Sequence, residues 1–198
     1  MTANNSNSSI PPSYFENLYA ADSDPWRFAT SRYEADKYAA TIAALPKNSY
    51  RSGFEIGGSI GILTEKLAER CDSLLSIDVS ETAQQQAIER CDRFPHLRFQ
   101  LMQFPEQQPD ETFDLIVVSE VGYYWSWGDL KRAQKSILNL LEPGGHLMLV
   151  HWTEETNYPL TGDEVHDFFS ELVSTQMQPL VEHKAEQYRL DLFERRVL

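Results

Sequence analysis

Two acidic residues bracket a glycine-rich turn in the first half of the sequence. The stretch EIGGSIG, residues 55–61, opens on a carboxylate and holds Gly57, Gly58 and Gly61. Glycine lets a backbone bend sharply and approach a ligand closely, and the free amides at the start of a helix attract negative or polarised groups. Asp78 ends the next apolar run, where a carboxylate can accept hydrogen bonds from both ribose hydroxyls of an adenosine. The pattern predicts a site for a nucleoside-containing cofactor.

Glu55 discriminates between two such cofactors. A dinucleotide seats its pyrophosphate on the helix N-terminus and prefers G-x-G-x-x-G, whereas this turn reads E-x-G-G-x-x-G. A carboxylate repels a pyrophosphate but attracts an α-amino group. S-adenosylmethionine carries an ammonium and a sulfonium but no phosphate, so the charge pattern favours it, with an NAD-linked oxidoreductase as the alternative. Without a pyrophosphate to seat, we expect Ser59 to be tolerated at an ordinary φ, with its hydroxyl facing the methionine tail.

Candidates for acid–base chemistry follow two later apolar runs. Glu120 comes directly after the most continuously apolar segment, FDLIVVSEV, and His151 ends HLMLVHW. A carboxylate or imidazole beside a transferred methyl group could take a proton from an amine or orient its lone pair. The alternative for Glu120 is a hydrogen bond to nearby backbone or to the cofactor. For His151 the alternative is a buried structural role.

The segment GYYWSW, residues 122–127, is unusually aromatic for a loop that follows a strand. Aromatic faces can stack on a sugar ring or hold a cationic amine. The alternative is packing within the protein, which we expect more of Trp127 than of Tyr123 or Tyr124.

Strand-like apolar runs alternate with segments of helical periodicity along the chain. The predicted strands are GFEIG, SLLSIDV, LRFQLMQ, FDLIVVSEV and HLMLVHW, followed by a terminal hairpin over 178–198. The predicted helices are a segment within 14–45 that Pro46 ends, then GILTEKLAERC, ETAQQQAIERC with Ser80 as its cap, DLKRAQKSILNLL ended by EPGG, and GDEVHDFFSELVS. This alternation predicts an α/β fold: a Rossmann-like three-layer sandwich with a mostly parallel seven-stranded sheet and a C-terminal antiparallel hairpin. Ligands of such sheets bind outside the carboxyl ends of the strands.

Composition excludes several classes of protein. The net charge of −13 comes with no compensating basic run, which argues against nucleic acid and against an anionic membrane surface as partners. Two cysteines are too few for a disulfide framework, the histidines lack metal-ligand spacing, and no signal peptide or membrane span is present, so we expect a cytoplasmic protein without a metal. We expect a flexible tail over 1–12 and a single domain over 13–198; no oligomeric state is predicted.

The order EIGGSIG, SIDVS, FDLIVVSEV and LEPGGHLML resembles the class I S-adenosylmethionine-dependent methyltransferases. Within that class, DPWRFATSRYEADKY together with LTEKLAERC and FDLIVVSEVGYYW resembles nodulation protein S and its relatives. These are N-methyltransferases, and the rhizobial members methylate the free amine of a de-N-acetylated chitooligosaccharide. The likeness runs from about residue 14 to residue 152 and fades beyond it.

The resemblance implies roles for individual residues. Gly57, Gly58 and Gly61 wrap the methionine moiety, Glu55 orients its ammonium, and Asp78 takes the ribose. The remaining implied cofactor contacts are Val79 and Gln103 at the adenine, Phe104 beside them, Ser119 and Glu120 behind the sulfonium, and Trp26, Arg27 and Tyr33 in a helical lid over 13–46. Gln103 departs from the family, which often has Asp there, and His151 lies outside the family pattern.

Together these residues predict methyl transfer from S-adenosylmethionine, with S-adenosylhomocysteine as product. The candidate catalytic residues are Glu120, Tyr124 and His151. The expected acceptor is an amino sugar or a de-N-acetylated oligosaccharide amine. O- or C-methylation of another small metabolite, and a catalytically silent cofactor-binding module, remain as alternatives.

Overall fold

The computed structural model describes residues 8–173 and 175–197. The helices are α1 (Pro12–Ala21), α2 (Arg32–Ala43), α3 (Ile62–Ala68), α4 (Glu81–Arg90), α5 (Trp127–Leu140) and α6 (Gly162–Ser170), with a 3₁₀ turn at Gly122–Tyr124. The strands are β1 (Gly53–Ile56), β2 (Leu74–Asp78), β3 (Leu97–Leu101), β4 (Phe113–Ser119), β5 (Leu141–Trp152), β6 (Met177–Lys184) and β7 (Tyr188–Arg195).

The strands form one seven-stranded sheet in the order β3-β2-β1-β4-β5-β7-β6, with its antiparallel pairs at the C-terminal end. The predicted fold class is therefore confirmed. Residues Pro11–Gln103 form one compact unit, and the described residues from 104 onward form a second unit together with 8–10.

The first unit is built from two parallel strand pairs. Strand β1 pairs with β2, and β2 pairs with β3. Each return to a parallel strand requires a crossover, and α3 and α4 supply them. As predicted, Ser80 caps α4, because its side chain accepts a hydrogen bond from the Ala83 amide at 3.1 Å.

The predicted helical segment within 14–45 contains two helices rather than one. Residues 22–31 between α1 and α2 are not helical, and Leu45 lies beyond the end of α2. The Asp24 carboxylate accepts hydrogen bonds from the amides of Phe28 at 2.7 Å and Ala29 at 2.9 Å. A side chain that takes backbone amides in this way competes with the helix, so the segment turns here.

The second unit joins a parallel pair to an antiparallel end. Strand β4 pairs in parallel with β5, which pairs antiparallel with β7, and β6 and β7 form the predicted terminal hairpin. The EPGG segment ends α5 as predicted, but residues 142–145 also fall within β5. The register jumps from Phe113↔Leu141 to Leu115↔His146, so the pairing of β4 with β5 is irregular across this segment.

Part of the predicted N-terminal tail belongs to the second unit. Residues 1–7 lie outside the described residues. The Ser9 hydroxyl accepts a hydrogen bond from the Ser126 amide at 2.7 Å, and the Ile10 amide donates to the Tyr124 carbonyl at 2.9 Å. Within the described part of the chain, no helix combines the length and the apolar character needed to cross a membrane.

Candidate active site

Glu55 is a buried carboxylate at the centre of the first unit. Its side chain on β1 is 1% exposed, and Oε2 accepts hydrogen bonds from Thr64 Oγ1 at 2.6 Å and Ser76 Oγ at 2.7 Å. Burial raises the pKa of this carboxyl group to about 7, against the opposing effect of the two hydroxyl hydrogen bonds. Glu55 therefore titrates close to neutral pH, where a cation would favour its charged form.

The glycines beside Glu55 are required by close contacts. A Cβ atom on Gly58 would lie 2.1 Å from Ser76 Oγ, and one on Gly61 would lie 2.9 Å from the Cα atom of Ala87. Gly57 and Gly61 have φ values of 87° and 83°, a region that side chains rarely enter. The turn therefore packs directly on the strand and helix behind it, and the amides of Gly57 and Gly58 both donate to the Ile77 carbonyl at 2.9 Å.

The expectation for Ser59 was wrong. Its φ of 50° lies in the left-handed region, so the turn demands an unusual backbone there even without a pyrophosphate. The Ser59 hydroxyl shares a short hydrogen bond with the Tyr19 hydroxyl of α1. The side chain is thus held by a helix distant in sequence, which offsets the strain of the backbone.

Asp78 holds the glycine-rich turn in place from the end of β2. Its Oδ2 accepts the Ser59 amide at 2.8 Å, and its Oδ1 accepts the Ser80 amide at 2.9 Å. Burial raises the pKa of Asp78, opposed by these backbone hydrogen bonds. Val79 follows, half-buried, and Gln103 is exposed just beyond β3.

The predicted lid residues of the first unit differ in environment. Trp26 packs edge-on against Tyr19, at 5.6 Å between ring centroids, and joins the cluster around Ile60 in the turn. Arg27 is exposed, with a φ of 62°. Tyr33 is half-buried on α2 with the Lys37 ammonium 5.4 Å from its ring centroid. Trp26 is therefore the predicted lid residue whose contact with the turn is observed.

Glu120 follows β4 in the second unit, directly after the buried Ser119. It also has a left-handed backbone, with φ at 57°. Its Oε2 accepts hydrogen bonds from the Tyr123 hydroxyl at 2.6 Å and the Trp152 amide at 3.0 Å. The hydrogen bond from backbone to Glu120, the alternative role for this residue, is therefore present, and it orients the carboxylate.

Three tyrosines, Tyr123, Tyr124 and Tyr158, pack on one another, and the first two follow Glu120 closely in sequence. Tyr123 and Tyr124 are 5% and 9% exposed, and Tyr158 stacks on the Tyr123 ring at 5.3 Å. Burial raises the pKa of both buried hydroxyls. Trp127 is 45% exposed, so the expectation that it packs more fully than the tyrosines was wrong. Phe104 is buried and meets Trp125 at 6.0 Å between ring centroids.

His151 is fully buried and belongs to a chain of polar side chains. Its Nε2 accepts the Gly122 amide at 3.0 Å, and its Nδ1 lies 3.1 Å from Nε2 of His166. His166 Nδ1 lies 2.8 Å from Asp191 Oδ2. Sequence reasoning missed His166 and Asp191, because no local spacing links residues on three separate elements.

Sequence reasoning also missed the residues that hold Glu55 and the glycine-rich turn. Thr64 and Ser76 hold Glu55, and Tyr19 holds Ser59. Thr64 lies nine positions beyond Glu55, on the helix that follows the turn, so its place on the first turn of α3 was the available signal.

The strand order and the glycine-rich turn after β1 define the class of protein. The chain has the fold of the class I S-adenosylmethionine-dependent methyltransferases. It belongs to the nodulation protein S family, since the family described as "Nodulation protein S (NodS)" matches residues 15–156.

Individual relatives agree with this family. A nodulation protein S from Rhizobium tropici is 34% identical over 131 residues, which are 65% of this chain and 55% of the relative. The aligned regions cover 55%, 60% and 58% of three curated nodulation protein S sequences, so the chain spans less than two thirds of their length.

Two solved structures are similar over most of the chain. One is the N-methyltransferase NodS from Bradyrhizobium japonicum WM9 in complex with S-adenosylhomocysteine: it has a TM-score of 0.82 and 26% identity, over 92% of this chain and 97% of that one. The other is a putative methyltransferase from Pseudomonas syringae: it has a TM-score of 0.74 and 39% identity, over 83% of this chain and 100% of that one.

Proposed function

We propose that the protein is an S-adenosylmethionine-dependent N-methyltransferase that acts on a small amine, an amino sugar or a de-N-acetylated oligosaccharide. The observation that carries this proposal is the buried Glu55 carboxylate behind a glycine-rich turn that Asp78 holds in place. Membership of the nodulation protein S family supports it. A similar structure, of an N-methyltransferase, is a complex with S-adenosylhomocysteine.

The first unit would hold the cofactor. Glu55 offers a carboxylate to the ammonium, Asp78 offers one to the ribose hydroxyls, and Gly57, Gly58 and Gly61 leave the backbone open to the methionine chain. Val79 and Gln103 would contact the adenine, and Trp26, Arg27 and Tyr33 would cover the cofactor, with Arg27 at its carboxylate. When bound, S-adenosylmethionine supplies a methyl group already activated by its sulfonium, so the protein contributes mainly alignment.

Glu120 is the proposed residue for the acceptor amine. An amine attacks only through an unprotonated lone pair, and a fixed carboxylate can accept its proton or orient it. The Tyr123 hydroxyl and the Trp152 amide fix the Glu120 carboxylate. Ser119 and Phe104 would contact the cofactor beside it, while Tyr124 would shape the surroundings of the amine.

The charge of the chain fits the proposed acceptor. A net charge of −13 favours the approach of neutral or cationic molecules over anionic ones. We also propose a cytoplasmic location, since Cys71 and Cys91 are both buried thiols and two cysteines are too few for a disulfide framework.

Calorimetric titration with S-adenosylhomocysteine tests the cofactor half of the proposal. We expect the Asp78→Ala variant to bind at least about tenfold more weakly, because it loses charge-assisted hydrogen bonds. Asp92→Ala is the matched control, since Asp92 is an exposed aspartate of the same unit, and it should bind as the unchanged protein does. Absence of binding by the unchanged protein would contradict the proposal.

A radiolabelled methyl-transfer screen tests the acceptor half. Amino sugars and partly deacetylated chitooligosaccharides should accept the label, and their N-acetylated and hydroxyl counterparts should not. Label on the hydroxyl compounds alone would indicate an O-methyltransferase. Binding of S-adenosylhomocysteine without transfer to any amine would indicate a catalytically silent binding module.

A further inference from the structure

Four residues of the second unit form a continuous buried chain of hydrogen bonds. It starts at the Gly122 amide, passes through His151 on β5 and His166 on α6, and ends at Asp191 on β7. His151 and His166 are 0% exposed, and Asp191 is 1% exposed. Burying polar groups this deeply costs free energy unless their hydrogen bonds are satisfied. We therefore looked for what this hydrogen-bond chain does in the protein.

The backbone amide sets the direction of every proton in the chain. An amide nitrogen can only donate, so His151 Nε2 must be an unprotonated acceptor. The proton of a neutral His151 is then on Nδ1, which faces His166 Nε2 at 3.1 Å. His166 must accept there and carry its own proton on Nδ1, which faces Asp191 Oδ2 at 2.8 Å.

The hydrogen-bond chain from Gly122 to Asp191 has no place for an additional proton. A second proton on either ring would set two donors face to face, either between the rings or at the Gly122 amide. The charged groups facing His166 are Asp191 and Arg189 from β7 and Asp163 from its own helix, and burial lowers the His166 pKa despite the aspartates. Both rings are therefore held neutral, in the tautomer with the proton on Nδ1.

The hydrogen-bond chain begins at Gly122, in the 3₁₀ turn that also carries Tyr123. Gly122 lies so close to the His151 ring that a Cβ atom would come within 2.9 Å of Nε2. The Tyr123 ring stands edge-on to the His151 ring at 5.4 Å between centroids, and its hydroxyl donates to Glu120 at 2.6 Å. The position of the Glu120 carboxylate thus depends on the turn, and the turn depends on the chain of hydrogen bonds.

We propose that Asp191, His166 and His151 are positioning residues: their ordered protons fix the Gly122–Tyr124 turn, and through Tyr123 they fix Glu120. The link to catalysis rests on the proposed function, whereas the proton order does not. His151 accordingly acts on the turn and takes no proton from the acceptor amine, since both of its ring nitrogens are occupied within the protein.

Nuclear magnetic resonance of protein labelled with ¹⁵N-histidine tests the proton order without any assay of activity. We expect both His151 and His166 to show a protonated Nδ1 and a bare Nε2 at neutral pH. This is the tautomer that a histidine side chain disfavours in water, so packing alone would not produce it. A charged ring, or a protonated Nε2 on either residue, would overturn the proposal.

Two substitutions at His166 separate positioning from packing. His166→Asn keeps a donor toward Asp191 but leaves His151 Nδ1 without its acceptor, whereas His166→Gln can restore that acceptor. We expect His166→Asn to speed hydrogen exchange of the Gly122 amide by about fivefold and to lower kcat by about tenfold. His166→Gln should recover much of both losses, and both variants should bind S-adenosylhomocysteine like the unchanged protein.

The outcomes distinguish failure of this proposal from failure of the proposed function. Unchanged exchange at Gly122 in His166→Asn would overturn the positioning role, as would unchanged kcat. A protein that never transfers a methyl group would contradict the proposed function, while the exchange and tautomer results would still decide the proton order.

Discussion

At the scale of single residues, Glu55 is the group whose surroundings matter most. It is held by two neutral hydroxyls, Thr64 and Ser76, so burial outweighs its hydrogen bonds and brings its pKa to about 7. A buried carboxylate of this kind is costly to charge by itself and favourable to charge beside a cation. Binding of an ammonium and ionisation of Glu55 should therefore be linked.

The linkage predicts that the affinity for S-adenosylhomocysteine depends on pH. Below pH 7 Glu55 is mostly protonated, and binding of the ammonium must release that proton. The dissociation constant should therefore rise by up to about tenfold for each pH unit below the pKa, and it should level off above pH 7. Calorimetric titrations between about pH 5 and pH 8 measure this slope.

Glu55→Gln is the control for that prediction. It keeps the size and an acceptor oxygen but has no charge to titrate, so its affinity should be weak and nearly constant over the same range. A slope in Glu55→Gln equal to that of the unchanged protein would assign the pH dependence to another group.

At the scale of elements, the Gly122–Tyr124 turn depends on a glycine. A Cβ atom on Gly122 would lie 2.7 Å from Val165 Cγ1 and 2.9 Å from His151 Nε2, so both α6 and β5 would have to shift. We expect Gly122→Ala to lower the free energy of unfolding by about 1–3 kcal/mol. Urea denaturation measures the loss.

Gly128→Ala is the matched control in the same unit. A Cβ atom there would meet only Ser126 Oγ at 3.6 Å and Arg132 Nη1 at 3.9 Å, which are ordinary contacts. Because Gly128 lies in α5, alanine should leave stability unchanged or raise it slightly. Equal effects of the two substitutions would contradict the contact argument.

Helix α1 is tied to α4 by the Glu16 carboxylate. Glu16 accepts hydrogen bonds from the Ser80 hydroxyl at 2.7 Å and from the Thr82 amide at 3.2 Å, and from the Thr82 hydroxyl as well. The bonds from Thr82 and Ser80 hold the pKa of Glu16 below its usual value. A negative charge at a helix N-terminus is also favourable.

We expect Glu16→Gln to lower the free energy of unfolding at neutral pH by about 0.5–1 kcal/mol. Because the folded-state pKa is depressed, the contribution of Glu16 is present above about pH 4.5 and is lost as the pH falls through the folded-state value. The difference between the two proteins should therefore shrink in acid. Glu81→Gln removes a charge from the same helix end without a bond to α1, and it should cost less.

At the scale of the whole molecule, charge is the dominant feature. A net charge of −13 on 198 residues makes like charges repel one another in the compact state. Raising sodium chloride from about 10 mM to about 200 mM screens that repulsion. We expect Tm to rise by about 2–4 °C, as measured by circular dichroism.

A charge-reduced variant gives the comparison for the salt response. Glu106 and Asp110 are exposed, and replacing both with lysine lessens the net negative charge. The variant should respond less to salt than the unchanged protein. An equal response would mean that sodium chloride acts on stability by another route.

The sequence by itself determined most of the order of elements and pointed to the two carboxylates beside the glycine-rich turn. Most strands and helices have enough local apolar periodicity to be recognised alone, although α1 and α2 were predicted as one segment. Ser80 is a helix cap wherever a helix follows it. Alternation of strand and helix over most of the chain leaves few topologies, so the sheet and its terminal hairpin followed. Glu55 and Asp78 were found because each adjoins the glycine-rich turn in sequence.

Only the tertiary structure decided which residues hold the glycine-rich turn and which buried residues hold His151. The left-handed backbone of Ser59 depends on Tyr19, which is 40 positions away. The ordered protons of His151 depend on Asp191 through His166, across three elements. Such contacts have no period and no local propensity, because they arise where separate elements pack. The strands and helices were therefore predictable from neighbouring residues, while the direction of a proton in the buried core required the folded chain.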